Sequence, residues 1–216
     1  MIRNEELRMI KNVVFDIGGV LADFRIKEFL LEKGVEASLI KRILKASVMN
    51  PYWGKFERGE VTEEETLQAF VDADPEIESR LRLAFDNLNG MLVSRDFAIP
   101  LVQKLKTAGY GVYYLSNYSS KAYYECGESL AFMPYMDGGI VSFKVGMTKP
   151  DRKMYVYFLE KFGLEPESCL FVDDTEENVT AARSLGFAGI VFRSYEELAG
   201  ELKKAGVEIP DRKSVV

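Results

Sequence analysis

The sequence predicts an α/β protein: a doubly wound parallel sheet carrying an inserted helical cap. Three observations lead there. Short runs of apolar, β-forming residues recur along the chain, and most gaps between them hold apolar residues at helical spacing. One gap, between the first two runs, is far too long for a single crossover helix. Strands alternating with single helices indicate a parallel sheet covered on both faces.

The first strand spans residues 12–16, where Val13, Val14 and Phe15 end on a carboxylate, Asp16, and Gly18-Gly19 then remove steric bulk. A whole βαβ unit takes about thirty residues, yet the next strand, Gly111–Ser116, begins more than ninety residues after Asp16. The excess is helical in pattern. Ile26, Phe29 and Leu30 share a face, as do Leu39, Ile40, Ile43 and Leu44, then Leu67, Phe70 and Val71, then Ile77, Leu81, Phe85 and Leu88. Thr62 with Glu65 three residues on has capping-box spacing. Residues 24–90 are therefore read as a helical cap domain with its own core, Asn89-Gly90 being the returning hinge, and residues 1–23 and 91–216 as the core domain.

Past the cap, Leu101, Val102 and Leu105 line one face of a helix with Pro100 in its first turn and Gly109 as its stop. A strand is expected at Gly139–Phe143, then a helix with Met154, Phe158, Leu159 and Phe162 on one face, stopped by Gly163. Strand Cys169–Asp173, a helix through Val179, Ala182 and Leu185 ended by Gly186, and strand Gly189–Arg193 complete the pattern. The final "PDRKSVV" is expected to fray.

Composition narrows the chemistry. With 216 residues, 47 % hydrophobic and 29 % charged, the chain has the make-up of a soluble protein with a real core. A net charge of −6 without a Lys/Arg cluster argues against a nucleic-acid partner. No apolar run approaches the roughly 18 residues of a membrane span. The opening "MIRNEELRMIK" is too polar for a signal peptide, so a cytoplasmic location is expected. Cys126 and Cys169 are the only cysteines, and Cys169, opening an apolar strand, reads as a buried thiol. The chain has no histidine, which excludes a Ser-His-Asp triad, a Cys-His pair and histidine-ligated zinc. Acid–base or metal chemistry must run on carboxylates, lysine, hydroxyls or water.

Ligands of doubly wound sheets bind outside the carboxyl ends of the strands. Four polar groups stand there: Asp16; Ser116-Asn117; Lys149 in "GMTKPD"; and Asp173-Asp174. Each has an ordinary structural reading too. Asp16 can cap a turn, Ser116 and Asn117 are good helix N-caps, and Asp174 with Glu177 has capping-box spacing. Yet Lys149 at a helix start meets the positive end of the dipole, which a bound anion would offset. Adjacent carboxylates at a buried strand end repel unless a cation lies between them, and a hard divalent ion suits such an oxygen site. Their convergence on one sheet edge favours function.

The ordered set "VVFDIGGV", "YYLSN", "GMTKPD" and "LFVDDTEENVTAA" resembles the four motifs of the haloacid dehalogenase-like hydrolase superfamily, and the insert is similar to that family's helical cap. The stretch "KFERGEVTEEE" resembles bacterial sugar phosphatases related to α-glucose-1-phosphatase. The resemblance implies a Mg²⁺-dependent phosphatase acting on a small phosphorylated molecule. Asp16 would be the nucleophile, forming an aspartyl-phosphate that water hydrolyses. Mg²⁺ would be held by Asp16, the carbonyl of Gly18 and Asp174, with Asp173 a ligand or a partner of one. Ser116 and Lys149 would bind the phosphoryl oxygens, Asn117 would lend a backbone N–H, and Asn178 would orient Asp174 or a metal-bound water.

One position departs from the family pattern. Most phosphatases of this superfamily have an aspartate two residues after the nucleophile to protonate the leaving oxygen and then activate water; here it is Gly18. General acid–base help is typically worth about 10²–10⁴ in rate. A sugar 1-phosphate tolerates the loss better than an alkyl phosphate, because its anomeric oxygen is more acidic. Asp23 is a candidate substitute, and Tyr52, Trp53, Phe56 and Arg58 are candidates for facing the site from the cap, although cap aromatics and a solvated arginine have ordinary readings too. A dehalogenase has no need of the acidic pair, and a phosphorylated receiver domain carries its acidic pair early and has no cap. A catalytically weak sugar-phosphate-binding protein is the remaining alternative, favoured by Gly18 alone.

Overall fold

The computed structural model describes residues 9–209, so the segment expected to fray lies outside the described residues, as does most of the polar N-terminal stretch. Strand β1 (Asn12–Phe15) leads through a tight turn into β2 (Ala22–Phe24). Helices α1 (Ile26–Glu32), α2 (Ile40–Ala46), α3 (Pro51–Glu57), α4 (Glu63–Ala73) and α5 (Glu78–Asp86) follow, and β3 (Leu92–Ser94) returns the chain. The remainder is α6 (Ala98–Thr107), β4 (Gly111–Ser116), α7 (Ser120–Glu125), β5 (Gly138–Val141), α8 (Arg152–Phe162), β6 (Cys169–Asp173), α9 (Glu176–Ser184), β7 (Ala188–Val191) and α10 (Tyr195–Lys204).

Five strands form one parallel sheet in the order β5-β4-β1-β6-β7. Strand alternation sends Val13 and Phe15 to one face and Val14 to the other. Val14 packs with Met154 and Phe158 of α8 and with Val179 and Ala182 of α9. The opposite face packs against Leu101, Val102 and Leu105 of α6 and Leu198 and Leu202 of α10. Both faces are thus covered, as the sequence predicts.

The excess segment is helical. Thr62 and Glu65 form their capping box, Thr62 Oγ1 accepting from the Glu65 N–H while the Glu65 carboxylate accepts from the Thr62 N–H. Helix α3 has no counterpart in the sequence reading, though Asn50 accepts from the Tyr52 N–H and Pro51 occupies its first turn. Helix α10 also emerges only in the structure. The apolar residues of α1, α2, α4 and α5 form one continuous cluster with those of the sheet's α6 face.

Strands β2 and β3 pair antiparallel, Ala22 with Ser94 and Phe24 with Leu92, so a two-stranded ribbon joins the helical segment to the sheet. At three residues each, these strands are too short to show a period. Ser142 Oγ donates to the Glu57 carbonyl at 2.6 Å and accepts from the Tyr118 N–H at 2.8 Å, pinning the end of α3 to the loop after β4. Lys121 on α7 reaches Glu63 of α4 at 3.2 Å and the Asp86 carbonyl of α5 at 3.1 Å. These ties hold the helices over the carboxyl ends of the strands.

Candidate active site

Sheet register assembles the site. β1 pairs Phe15 with Val172 of β6, so the next residues along, Asp16 and Asp173, stand side by side at the strand ends. On the other side Phe15 pairs with Tyr114, which brings Ser116 to the same edge. Lys149 projects between the carboxylates, its Nζ 2.9 Å from Asp16 Oδ1 and 2.6 Å from Asp173 Oδ2. The two carboxylates thus offset its charge ahead of α8.

All three charges are buried. Burial drives the Asp16 carboxyl above its usual range and the Asp173 charge adds to the rise, while Lys149 and the Ser116 hydroxyl oppose it. Burial likewise works against the Lys149 charge, but Asp16 and Asp173 outweigh it and hold the ammonium above its ordinary value. Asp174 is exposed by comparison, and its carboxyl is raised by partial burial and then by Asp173.

The neighbours do different work from that expected. Asn178 donates to both oxygens of Asp173 at 3.1 Å rather than to Asp174, and Asp173 Oδ1 also accepts from the Thr175 N–H at 2.8 Å. Tyr155 holds Asn178 in turn, donating to its carbonyl at 2.9 Å. No capping box forms between Asp174 and Glu177, because α9 takes Thr175 as its N-cap. Neither Ser116 nor Asn117 caps α7: β4 runs on through Ser116, and Ser119 takes that place, accepting from the Ala122 N–H. Asn117 instead clamps the Lys149 backbone, its Nδ2 donating to the Lys149 carbonyl at 3.0 Å and its Oδ1 accepting from the Lys149 N–H at 2.8 Å.

Asp16, Asp173 and Asp174 each place a carboxylate oxygen within 4.8 Å of the others. Three carboxylates against one lysine leave surplus negative charge, and all donors are hard oxygens, so the residues fit a divalent cation such as Mg²⁺. The backbone has made room as well. Gly19 has φ +75°, and a Cβ there would come within 2.6 Å of Asp174 Cγ and closer still to Oδ2. A Cβ at Gly18 would meet nothing within 4 Å.

A cavity of about 300 Å³ lies over this cluster, with Asp16, Ser116, Lys149 and Asp174 on the sheet side. Phe24, Val48, Trp53, Met91 and Leu92 give it an apolar wall. Of the cap residues singled out in the sequence, only Trp53 lines it. Phe56 is buried against Phe85, Tyr52 packs under Lys55, and Arg58 pairs with Glu60 at 2.6 Å. Asp23 faces outward to Arg95 at 3.2 Å and is not among the lining residues, so it is no substitute acid.

The titratable lining residue that sequence reasoning missed is Glu57, the last residue of α3. Trp53 Nε1 donates to its Oε1 at 3.1 Å. Burial pushes this carboxyl up to about 7 and the Asp16 charge adds to the rise, with the Trp53 N–H, Lys149 and Arg58 opposing. Its i, i+4 spacing from Trp53 was the available signal.

Comparison with known proteins identifies the family. Residues 10–186 match the model of the haloacid dehalogenase-like hydrolases. The chain belongs to that family. A D-ribitol-5-phosphate phosphatase of Bacteroides thetaiotaomicron is 28 % identical over 203 residues, covering 83 % of this chain and 90 % of that one. A sesquiterpene phosphatase of Aspergillus oryzae is 27 % identical over 180 residues, covering 83 % and 88 %. A family enzyme of B. thetaiotaomicron, solved in complex with magnesium and inorganic phosphate, superposes with TM-score 0.66 at 22 % identity, covering 88 % of this chain and 98 % of that one. This last likeness is one of fold. Among the described residues no helix is long and apolar enough to cross a membrane.

Proposed function

We propose that this hydrolase is a Mg²⁺-dependent phosphatase of a small phosphorylated metabolite, a sugar phosphate such as a hexose 1-phosphate. The observation that carries the reading is Lys149 bridging Asp16 and Asp173 at the base of the cavity. Asp16 attacks phosphorus and forms the aspartyl-phosphate, which water then hydrolyses. Lys149 and Ser116 hold the phosphoryl oxygens, and Asn117 fixes the loop that carries Lys149. Asp16, Asp174 and the Gly18 carbonyl would hold Mg²⁺, which when bound neutralises charge on the phosphoryl group. Asp173, engaged by Lys149, Asn178 and the Thr175 N–H, acts here as a partner that positions Lys149 rather than as a ligand.

The hexose 1-phosphate follows from Gly18 and its undemanding leaving group; the named sugar-alcohol phosphatase among the relatives is in keeping with it. The apolar wall favours a second reading, a monophosphate with an apolar body. Phosphate release is measured from sugar 1- and 6-phosphates, ribitol 5-phosphate, a prenyl monophosphate and p-nitrophenyl phosphate, with Mg²⁺ or with chelator. Asp16→Asn is the blank. Metal-dependent turnover that the variant lacks is expected, greatest on sugar 1-phosphates; preference for the prenyl ester would replace the substrate. Silence from folded protein across the panel would overturn the phosphatase reading.

A further inference from the structure

The missing aspartate at position 18 leaves the reaction without a proton donor on the sheet side of the cavity. In an in-line displacement the leaving oxygen points away from the nucleophile. With Asp16 at the sheet edge, that direction leads away from the sheet, where the cap residues Val48, Trp53 and Glu57 contribute a wall. One carboxylic acid lines that wall from the cap: Glu57, held by the Trp53 indole, its backbone pinned to the core by Ser142. We propose that Glu57 is the general acid and base of this enzyme, supplied by the cap in place of the residue absent at Gly18.

The proposal rests on the phosphatase reading. In the first step Asp16 forms its bond to phosphorus and the bond from phosphorus to the leaving oxygen breaks. The electron pair goes to that oxygen, which takes the proton of Glu57. In the second step water attacks phosphorus, its proton goes to the Glu57 carboxylate, and the bond to Asp16 breaks. Ester and water give alcohol and phosphate, and Glu57 ends as it began. A carboxyl pushed up to about 7 is suited to both roles near neutral pH. The titratable groups around it are Asp16 and Lys149 from the sheet side and Arg58 from its own helix end. With this donor in place the leaving group need not be acidic, so ordinary alcohol phosphates, such as a sugar 6-phosphate or a polyol phosphate, become substrates alongside sugar 1-phosphates.

The test is the leaving-group dependence of Asp16 phosphorylation, read by rapid quench on wild type and Glu57→Gln, which keeps an acceptor for Trp53. The leaving groups are p-nitrophenolate, which needs no proton, and the primary alkoxide of ribitol 5-phosphate, which does. Expected is a loss of about 10²–10³ on ribitol 5-phosphate against less than about tenfold on the aryl ester. Adding Gly18→Asp to the variant, where a Cβ meets nothing within 4 Å, should recover at least about tenfold on ribitol 5-phosphate alone. Equal losses on both esters would make Glu57 a binding or structural residue, and an unchanged alkyl rate would remove it from the reaction; either overturns the proposal while the phosphatase stands. No phosphorylation of wild type by either ester would overturn both.

Discussion

Two neighbouring glycines offer a separation of metal binding from every other function. At Gly19 an added methyl group would collide with the Asp174 carboxyl, within 2.6 Å of Cγ, and the backbone there has φ +75°. At Gly18 the same group enters open space. Gly19→Ala must therefore swing Asp174 out of the cluster and hold an L-residue in the left-handed region, at ~1–2 kcal/mol. For a chain of 216 residues, that lowers Tm by about 2–8 °C. Displacing an oxygen donor should raise the Mg²⁺ concentration for half-maximal activity by about 10–100-fold. Gly18→Ala should leave both quantities near wild type. The assay is phosphate release against MgCl₂ concentration, with thermal unfolding in chelator run alongside. If the two variants show the same Mg²⁺ dependence within about threefold, Asp174 does not hold the metal and the site has been assigned wrongly.

Lys149→Met would strip Asp16 and Asp173 of their shared counter-charge; breaking a buried pair costs about 3–5 kcal/mol, so a clear drop in urea midpoint should accompany loss of activity, and an unchanged midpoint would refute the pairing. Ser142→Ala removes the hydroxyl between the Glu57 carbonyl and the Tyr118 N–H, with ~1–3 kcal/mol lost from cap docking; KM is expected to rise several-fold, and unaltered kinetics would show that the tether is not needed. Glu57→Gln has a pH signature in stability as well as rate. The native carboxyl titrates near 7 against an ordinary 4.5, so the folded chain holds this proton more tightly than the unfolded chain. Wild type thus loses up to ~3 kcal/mol as pH rises through that interval, and the variant does not. Urea denaturation at pH 5, 6.5 and 8 should show the variant gaining on wild type; a constant gap would mean that Glu57 is not buried as described.

Much of the core was legible because its signals are local. Runs such as Val13-Val14-Phe15 and Leu170-Phe171-Val172 declare strands buried on both faces, and each ends on the carboxylate that matters. The Thr62–Glu65 box closes within one turn, so its spacing sufficed. Helix α3 was missed because seven residues show too little period, although Asn50-Pro51 marks its start. Ser116, Asn117 and Ser119 all suit the N-cap of α7 by residue type, and only the length of β4 decides among them.

The site divides the same way. From residue types alone came Asp16, Ser116, Lys149 and the Asp173-Asp174 pair, since polar groups ending apolar strands must face a common edge once the strands lie parallel. The absence of histidine restricted their chemistry to oxygen. What each group touches depended on register and docking. Asp173 takes Asn178 and Lys149 as partners because β6 lies level with β1, and Asp23 turns outward because β2 and β3 form a ribbon. Glu57 in sequence is one acid among several on a polar stretch. It becomes a group of the active site only when Ser142 pins the end of α3 across the sheet edge, because burial and nearby charge are properties of the assembled cavity and not of the residue.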